Sequence, residues 1–227
     1  MLLFTVIMYI ILFAAFTGVH LYASYKQLPQ LRAPTKPVIL LAVLGMYLEW
    51  EHLHGASPSL FIILALVTSW LGDVFLIPKG VKWFTIGGIF FWISHFLFIF
   101  GYYESGVVFA NIPAAVYIIV ALVYIPTVVI LFSKLRPSLP KPLFYPMFFY
   151  LLTNGAMNAF AWFRLFSGSC SLPGGIVTAA GALLFFISDS SLFFVRFDKN
   201  SKMKTHFTVM LTYSAGEFLI ALGLMLM

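Results

Sequence analysis

Apolar residues run in eight long stretches, at 1–24, 37–50, 59–77, 83–102, 108–132, 143–165, 173–195 and 206–227. Short polar or proline-bearing breaks such as Pro34-Thr35-Lys36-Pro37 and Arg136-Pro137-Ser138-Leu139-Pro140 separate them. A hydrocarbon core of about 30 Å takes about 20 helical residues per crossing, so stretches of this length predict membrane helices. The expected fold class is an all-α integral membrane protein: one transmembrane domain over residues 1–227, a bundle of eight helices. The second stretch is the shortest, because Glu49, Glu51, His52 and His54 crowd its far end. The first stretch lacks a basic leader and a small-residue cleavage site, so it reads as a span and not as a signal peptide.

Composition agrees with this pattern. The chain is 62% hydrophobic and 9% charged, against about a quarter charged in a soluble domain. Eight short-looped spans use up 227 residues and leave no room for a soluble domain. Any chemistry must therefore lie in or beside the bilayer. The single Cys170 can form neither an intrachain disulfide nor a Cys-based metal cluster, and it reads as a small apolar filler.

The net charge of +6 brings no nucleic-acid motif with it, and the basic residues are scattered over short loops. Lys26, Arg32 and Lys36 follow the first stretch, Lys79 and Lys82 the third, Lys134, Arg136 and Lys141 the fifth, and Arg196, Lys199, Lys202 and Lys204 the seventh. Only Arg164 falls in an intervening loop. By the positive-inside rule this alternation makes the basic face cytoplasmic and both termini non-cytoplasmic.

Two acids interrupt the apolar stretches, Asp73 and Asp189. A central aspartate costs roughly 3 kcal/mol to insert, so an intramembrane carboxylate is a site hypothesis by default. Each follows a Gly or Ser and precedes a Leu by three positions, as Gly72-Asp73 with Leu76 and Ser188-Asp189 with Leu192. Both should lie roughly 7–11 Å below the basic face, on helices running in the same direction. Equal depth and a shared motif four spans apart suggest two tandem four-helix halves. Two carboxylates in one desolvated cavity do not both ionise comfortably, so one can act as acid while the other holds a water or stabilises a cation. That is the equipment for hydrolysing an acid-labile carbon–oxygen bond.

Other polar residues fall around this pair. Lys36 opens the second helix and reads first as a topology anchor able to reach an aspartate or a phosphate. His95, in the fourth helix, is kept as a supporting candidate, although a position about 18 Å in from Lys82 puts direct contact with either aspartate in question. Tyr213 and Glu217 are one turn apart in the eighth helix and share a face. Asn154 and Asn158, likewise one turn apart in the sixth, read as interhelical glue, with Asn158 kept as a supporting candidate. The Glu49, Glu51, His52 and His54 cluster has the composition of a metal site but falls at the opposite end, and it reads as a solvated loop.

The ordered blocks Thr35-Lys36-Pro37, Gly72-Asp73-Val74-Phe75-Leu76, Ser94-His95-Phe96, Gly181 through Leu192, and Thr212 through Ile220 resemble those of the YhhN-like lysoplasmalogenase family. The resemblance covers most of the chain. It implies an eight-helix membrane enzyme that hydrolyses the vinyl-ether bond of lysoplasmalogens to a fatty aldehyde and glycerophosphocholine or glycerophosphoethanolamine. Asp73 and Asp189 would jointly supply acid and base, and Lys36 would meet the headgroup phosphate. Tyr213 would position water or the second aspartate. The substrate lipid and water are then the partners, no metal or organic cofactor is required, and the membrane would be the endoplasmic reticulum or a bacterial inner membrane. Two positions depart from the family pattern: Glu217 stands where an amide is usual, and Phe98 where a Tyr is frequent.

Two other readings start from the same residues. A proton- or ion-coupled transporter would use the aspartates as ion sites and needs a path to both faces. A zinc amidohydrolase of the membrane ceramidase type needs three converging His, and only His95 lies deep in a helix.

Overall fold

The computed structural model describes residues 2–198 and 206–226. They form eight helices: α1 (Leu2–Tyr25), α2 (Pro29–Leu53), α3 (Leu60–Phe75), α4 (Val81–Glu104), α5 (Ala114–Leu135), α6 (Phe144–Phe166), α7 (Leu172–Phe197) and α8 (Phe207–Met225). Among the described residues there is no strand, and short 3-10 turns join α4 to α5 and α5 to α6. Lys199, Lys202 and Lys204, three of the charges in the predicted alternation, lie outside the described residues.

Six of the helices, α1, α2, α4, α5, α7 and α8, are long and apolar enough to cross a membrane, which identifies a multi-pass membrane protein. Of the eight expected spans, two fall outside that measure by length and hydropathy. Helix α3 has 16 residues, about 24 Å of helix, which is short of a full hydrocarbon core. Helix α6 has 23 residues but gives one face to Thr153, Asn154, Asn158 and Arg164, all buried. The polar face that lowers its hydropathy is turned inward, away from lipid.

Three expectations change. Helix α2 begins at Pro29, eight residues before the sequence pattern predicts, and carries Pro34 and Pro37 inside it. Each proline removes one helical hydrogen bond near the N-terminal end. Thr35 compensates locally by donating its hydroxyl to Leu31 O at 2.7 Å, one of the ways a membrane helix tolerates proline. As a result Lys36 does not open the helix but lies two turns inside it, one turn after Arg32. The Glu49–His54 cluster is also not a loop, since the helix continues to Leu53 and buries Glu51. Arg164, assigned to a loop, sits in the last turn of α6 with no exposed surface. Its Nε donates to Ser105 Oγ at 3.0 Å and its Nη1 to Thr178 Oγ1 at 3.1 Å.

Sequence neighbours pack as hairpins, most extensively α7 with α8, then α1 with α2 and α3 with α4, while α6 is wedged against α4, α5 and α7. Only 11% of the apolar stretch of α1 is buried, against 61% of that of α7, so α7 forms the centre and α1 the lipid-facing rim. The α7–α8 contact is backbone against backbone. A Cβ on Gly181 would lie 2.6 Å from Ile220 N, and one on Gly216 would lie 2.9 Å from Gly181 O. Small residues permit that approach in lipid, and it fixes Asp189 of α7 relative to Tyr213 of α8.

Candidate functional site

A cavity of about 350 Å³ opens at the basic end of the bundle. Asp73 and Asp189 both line it, together with Lys36, Tyr213, Phe91, Arg32, Arg196 and His206. Asp73 is 1% exposed and Asp189 4% exposed, so each carboxylate depends on protein partners to offset its lost hydration.

The partners differ. Lys36 Nζ lies 3.0 Å from Asp73 Oδ1, and Tyr213 donates its hydroxyl to Asp73 Oδ2 at 2.8 Å. Among the described residues no Lys or Arg pairs with Asp189. Instead three groups converge on its Oδ2: the Tyr150 hydroxyl at 2.6 Å, Asn154 Nδ2 at 2.8 Å and His95 Nε2 at 3.1 Å. Asp73 thus faces a fixed cation from α2, whereas Asp189 faces neutral donors from α6 and one titratable ring from α4.

Rise per residue alone puts this contact in question for His95. Side chains on a helix lean toward its N-terminus. Helix α4 starts at the basic end and α7 finishes there, so His95 leans toward that end while Asp189 leans away from it. The two helices also start from offset levels, since Arg196 lies over the Phe84 ring at 5.5 Å and not beside Lys82. Converging directions and this offset together close the gap that rise per residue alone predicts.

The asparagines exchange roles relative to expectation. Asn154 touches Asp189, while Asn158 stands one step behind, donating from Nδ2 to Asn154 O at 3.1 Å and accepting at Oδ1 from the Tyr124 hydroxyl at 3.2 Å. Sequence reasoning missed Tyr150. Its signal was available, because Tyr150, Asn154 and Asn158 repeat every four residues and mark one polar stripe on α6.

Glu217 shares the Tyr213 face but not the cavity. It is fully buried, neither carboxylate oxygen makes a hydrogen bond among the described residues, and it lies within electrostatic range of Asp73 and Asp189. Rings close the site: Phe91 and Phe185 meet Tyr213 edge-on at 5.7 and 5.5 Å, and His95 packs against Phe185 and Tyr150 at 5.0 and 5.1 Å. Phe98, at the other departure from the family pattern, is fully buried in the core of α4.

The mouth is cationic. His206, just before α8, is pushed down to about 4, first by burial and then by the positive charges of Lys36, Arg32 and Arg196 around it. It is therefore neutral at pH 7 in a field set by Lys and Arg. Among the described residues no group of three or more His, Cys, Asp or Glu gathers to hold a metal ion.

No curated protein and no solved structure matches the chain. The sequence model described as the YhhN family matches residues 31–224. That range holds every side chain bonded to the two aspartates, and the chain belongs to the YhhN family.

Proposed function

We propose that the protein is a lysoplasmalogenase, hydrolysing the vinyl-ether bond of a lysoplasmalogen to a fatty aldehyde and a glycerophospho-alcohol. The observation that carries this reading is the pair of buried carboxylates lining one cavity with unlike partners. Family membership agrees with it.

Vinyl ethers hydrolyse by protonation at the double-bond carbon remote from oxygen. The π electrons form the new C–H bond and leave an oxocarbenium ion at the carbon bearing oxygen. Asp189, which accepts from His95, Tyr150 and Asn154, is placed to supply this proton. Asp73, paired with Lys36 and accepting from Tyr213, is placed to stabilise the oxocarbenium ion and to take a proton from the attacking water. Phe91 and Tyr213 turn rings to the same space, and aromatic faces attract a cation. In the collapse of the resulting hemiacetal Asp73 returns its proton to the glycerol oxygen as that carbon–oxygen bond breaks, and Asp189 takes the hydroxyl proton as the aldehyde carbonyl forms, which resets both carboxyls. Atoms balance with one water consumed.

The lining residues of the cavity all belong to the basic-end half of the bundle. A one-sided chamber favours a hydrolase over an ion-coupled carrier, which needs access from both faces. The test is aldehyde release from a lysoplasmalogen by purified protein in detergent, with a lysophospholipid ester as control and Asp73→Asn and Asp189→Asn as variants. Aldehyde from the wild type alone supports the reading. Folded wild type that releases none overturns it.

A further inference from the structure

A second cavity, of about 430 Å³, lies between the N-terminal halves of α4 and α6. Its wall is almost wholly hydrocarbon, with Phe84, Gly88, Trp92, Met147, Tyr150 and Phe193 among its residues. It opens sideways toward lipid, past Ile89 at 49% and Phe149 at 51% exposure. The groove and the carboxylate cavity adjoin across one aromatic wall, in which Phe84 and Tyr150 pack edge-on against Phe193. Phe84 lines both, and Tyr150 walls the groove while its hydroxyl binds Asp189. Phe193 follows Asp189 by one turn of α7.

The other end of this path is the cationic mouth. Lys36 is engaged by Asp73, which leaves Arg32, Lys79 and Arg196 as further strong cations among the described residues of the rim. Arg32 Nε is buried without a hydrogen-bond partner, and Arg196 is held over Phe84 at the entrance to the groove. The two cavities together therefore present positive charge, two carboxylates and a hydrocarbon groove. An occupant that satisfies all three has an anionic head, a reactive link and one apolar tail.

We propose that the two cavities form one site for a single-chain phospholipid, its phosphate at Arg32 and Arg196 and its tail leaving sideways through the α4–α6 groove past Gly88. This deepens the lysoplasmalogenase reading and rests on it only for the bond that is cut. One groove adjoining the carboxylates accounts for one chain, which matches a lyso lipid. Gly88 is the specificity-determining position: it lines the groove, and a Cβ there would meet nothing within 4 Å. A larger side chain at Gly88 fills the tail path without disturbing the packing, and helix propensity favours Leu over Gly.

Binding is measured apart from hydrolysis, with a saturated alkyl-ether lysophosphocholine carrying bromine in its chain and read by quenching of tryptophan fluorescence. Trp92 in the groove wall is the reporter, and Trp92→Phe should remove most of the quenching. Gly88→Leu should weaken the lipid by roughly tenfold, the equivalent of about two unburied methylenes, with Gly88→Ala intermediate and thermal stability preserved. Glycerophosphocholine and inorganic phosphate, which lack a tail, should compete weakly and equally in wild type and Gly88→Leu. Arg32→Gln with Arg196→Gln should weaken lipid and tail-less phosphates alike, and should leave an alkyl maltoside unaffected. Unchanged lipid affinity in folded Gly88→Leu, or quenching that survives Trp92→Phe, would overturn the groove assignment. A phosphate-only site would appear as inorganic phosphate competing as strongly as the lipid, and it too would overturn it. If the lipid binds as described but no aldehyde is released from a vinyl ether, the groove stands and the lysoplasmalogenase reading fails.

Discussion

Asp73 and Asp189 occupy matching sequence contexts yet opposite electrostatic ones. Both follow a small residue, both lie near the basic end of a helix, and both are buried. Asp73 is compensated by a cation, Lys36. Asp189 is compensated by hydrogen bonds that all fall on one oxygen. The contrast shows that a local motif fixes where a carboxylate is, while distant helices decide what state it is held in. Asp73 draws its partners from α2 and α8, and Asp189 from α4 and α6.

The sharpest way to break the comparison is to remove each partner. Lys36→Met leaves a buried carboxylate without its cation, and breaking such a pair costs about 3–5 kcal/mol. The expected result is a large fall in thermal stability in detergent. The double variant Lys36→Met, Asp73→Asn should recover most of that stability but no activity, since the anion that stabilises the oxocarbenium ion is gone. A double variant as unstable as the single one would show that Lys36 matters through packing and not through charge.

His95→Gln tests the other half. Gln can still donate a hydrogen bond toward Asp189 but cannot carry the proton, so stability should change little. The rate of aldehyde release should drop by about a hundredfold to ten-thousandfold, the range for one general-acid group. Tyr150→Phe removes a charge-assisted hydrogen bond and should cost about tenfold through the same aspartate. Equal effects of His95→Gln and Tyr150→Phe on rate would make His95 one donor among three and not the proton carrier.

Much of this arrangement was legible in the sequence. The helices, the two aspartates, Lys36 and Tyr213 all follow from hydropathy, burial cost and the family blocks. What was not legible has particular causes. The start of α2 was hidden because Pro34 and Pro37 read as helix breaks, and the Thr35 back-bond that tolerates them depends on side-chain geometry. The contact of His95 with Asp189 stayed in question because rise per residue ignores the direction in which side chains lean. Tyr150 and Asn154 were passed over because intramembrane amides usually tie helices together, and only the fold shows that their stripe on α6 faces Asp189. The same stripe makes α6 too polar to count as a span by hydropathy.

Glu217 is a weaker probe of the pair. It lies within range of both aspartates but lines neither cavity, so Glu217→Gln should alter aldehyde release by less than about tenfold. A larger loss would bring Glu217 into the proton path and end the two-carboxylate description.

The smallest expected effect comes from His206 at the mouth beside Asp73. Its folded value of about 4 lies below the ordinary 6.5, so above about pH 6.5 the ring is neutral in folded and unfolded chains and contributes no pH dependence. As pH falls from 6.5 toward 4 the unfolded chain binds a proton that the folded chain refuses, and stability declines through that window. The cause is burial reinforced by Lys36, Arg32 and Arg196. A phosphate seated between Arg32 and Arg196 would offset part of that positive field and let the ring protonate. The decline in melting temperature between pH 7 and pH 4.5 should therefore be shallower in His206→Gln, and shallower in wild type with bound lysophospholipid than without it. A slope that lipid leaves untouched would separate the mouth from the head of the ligand.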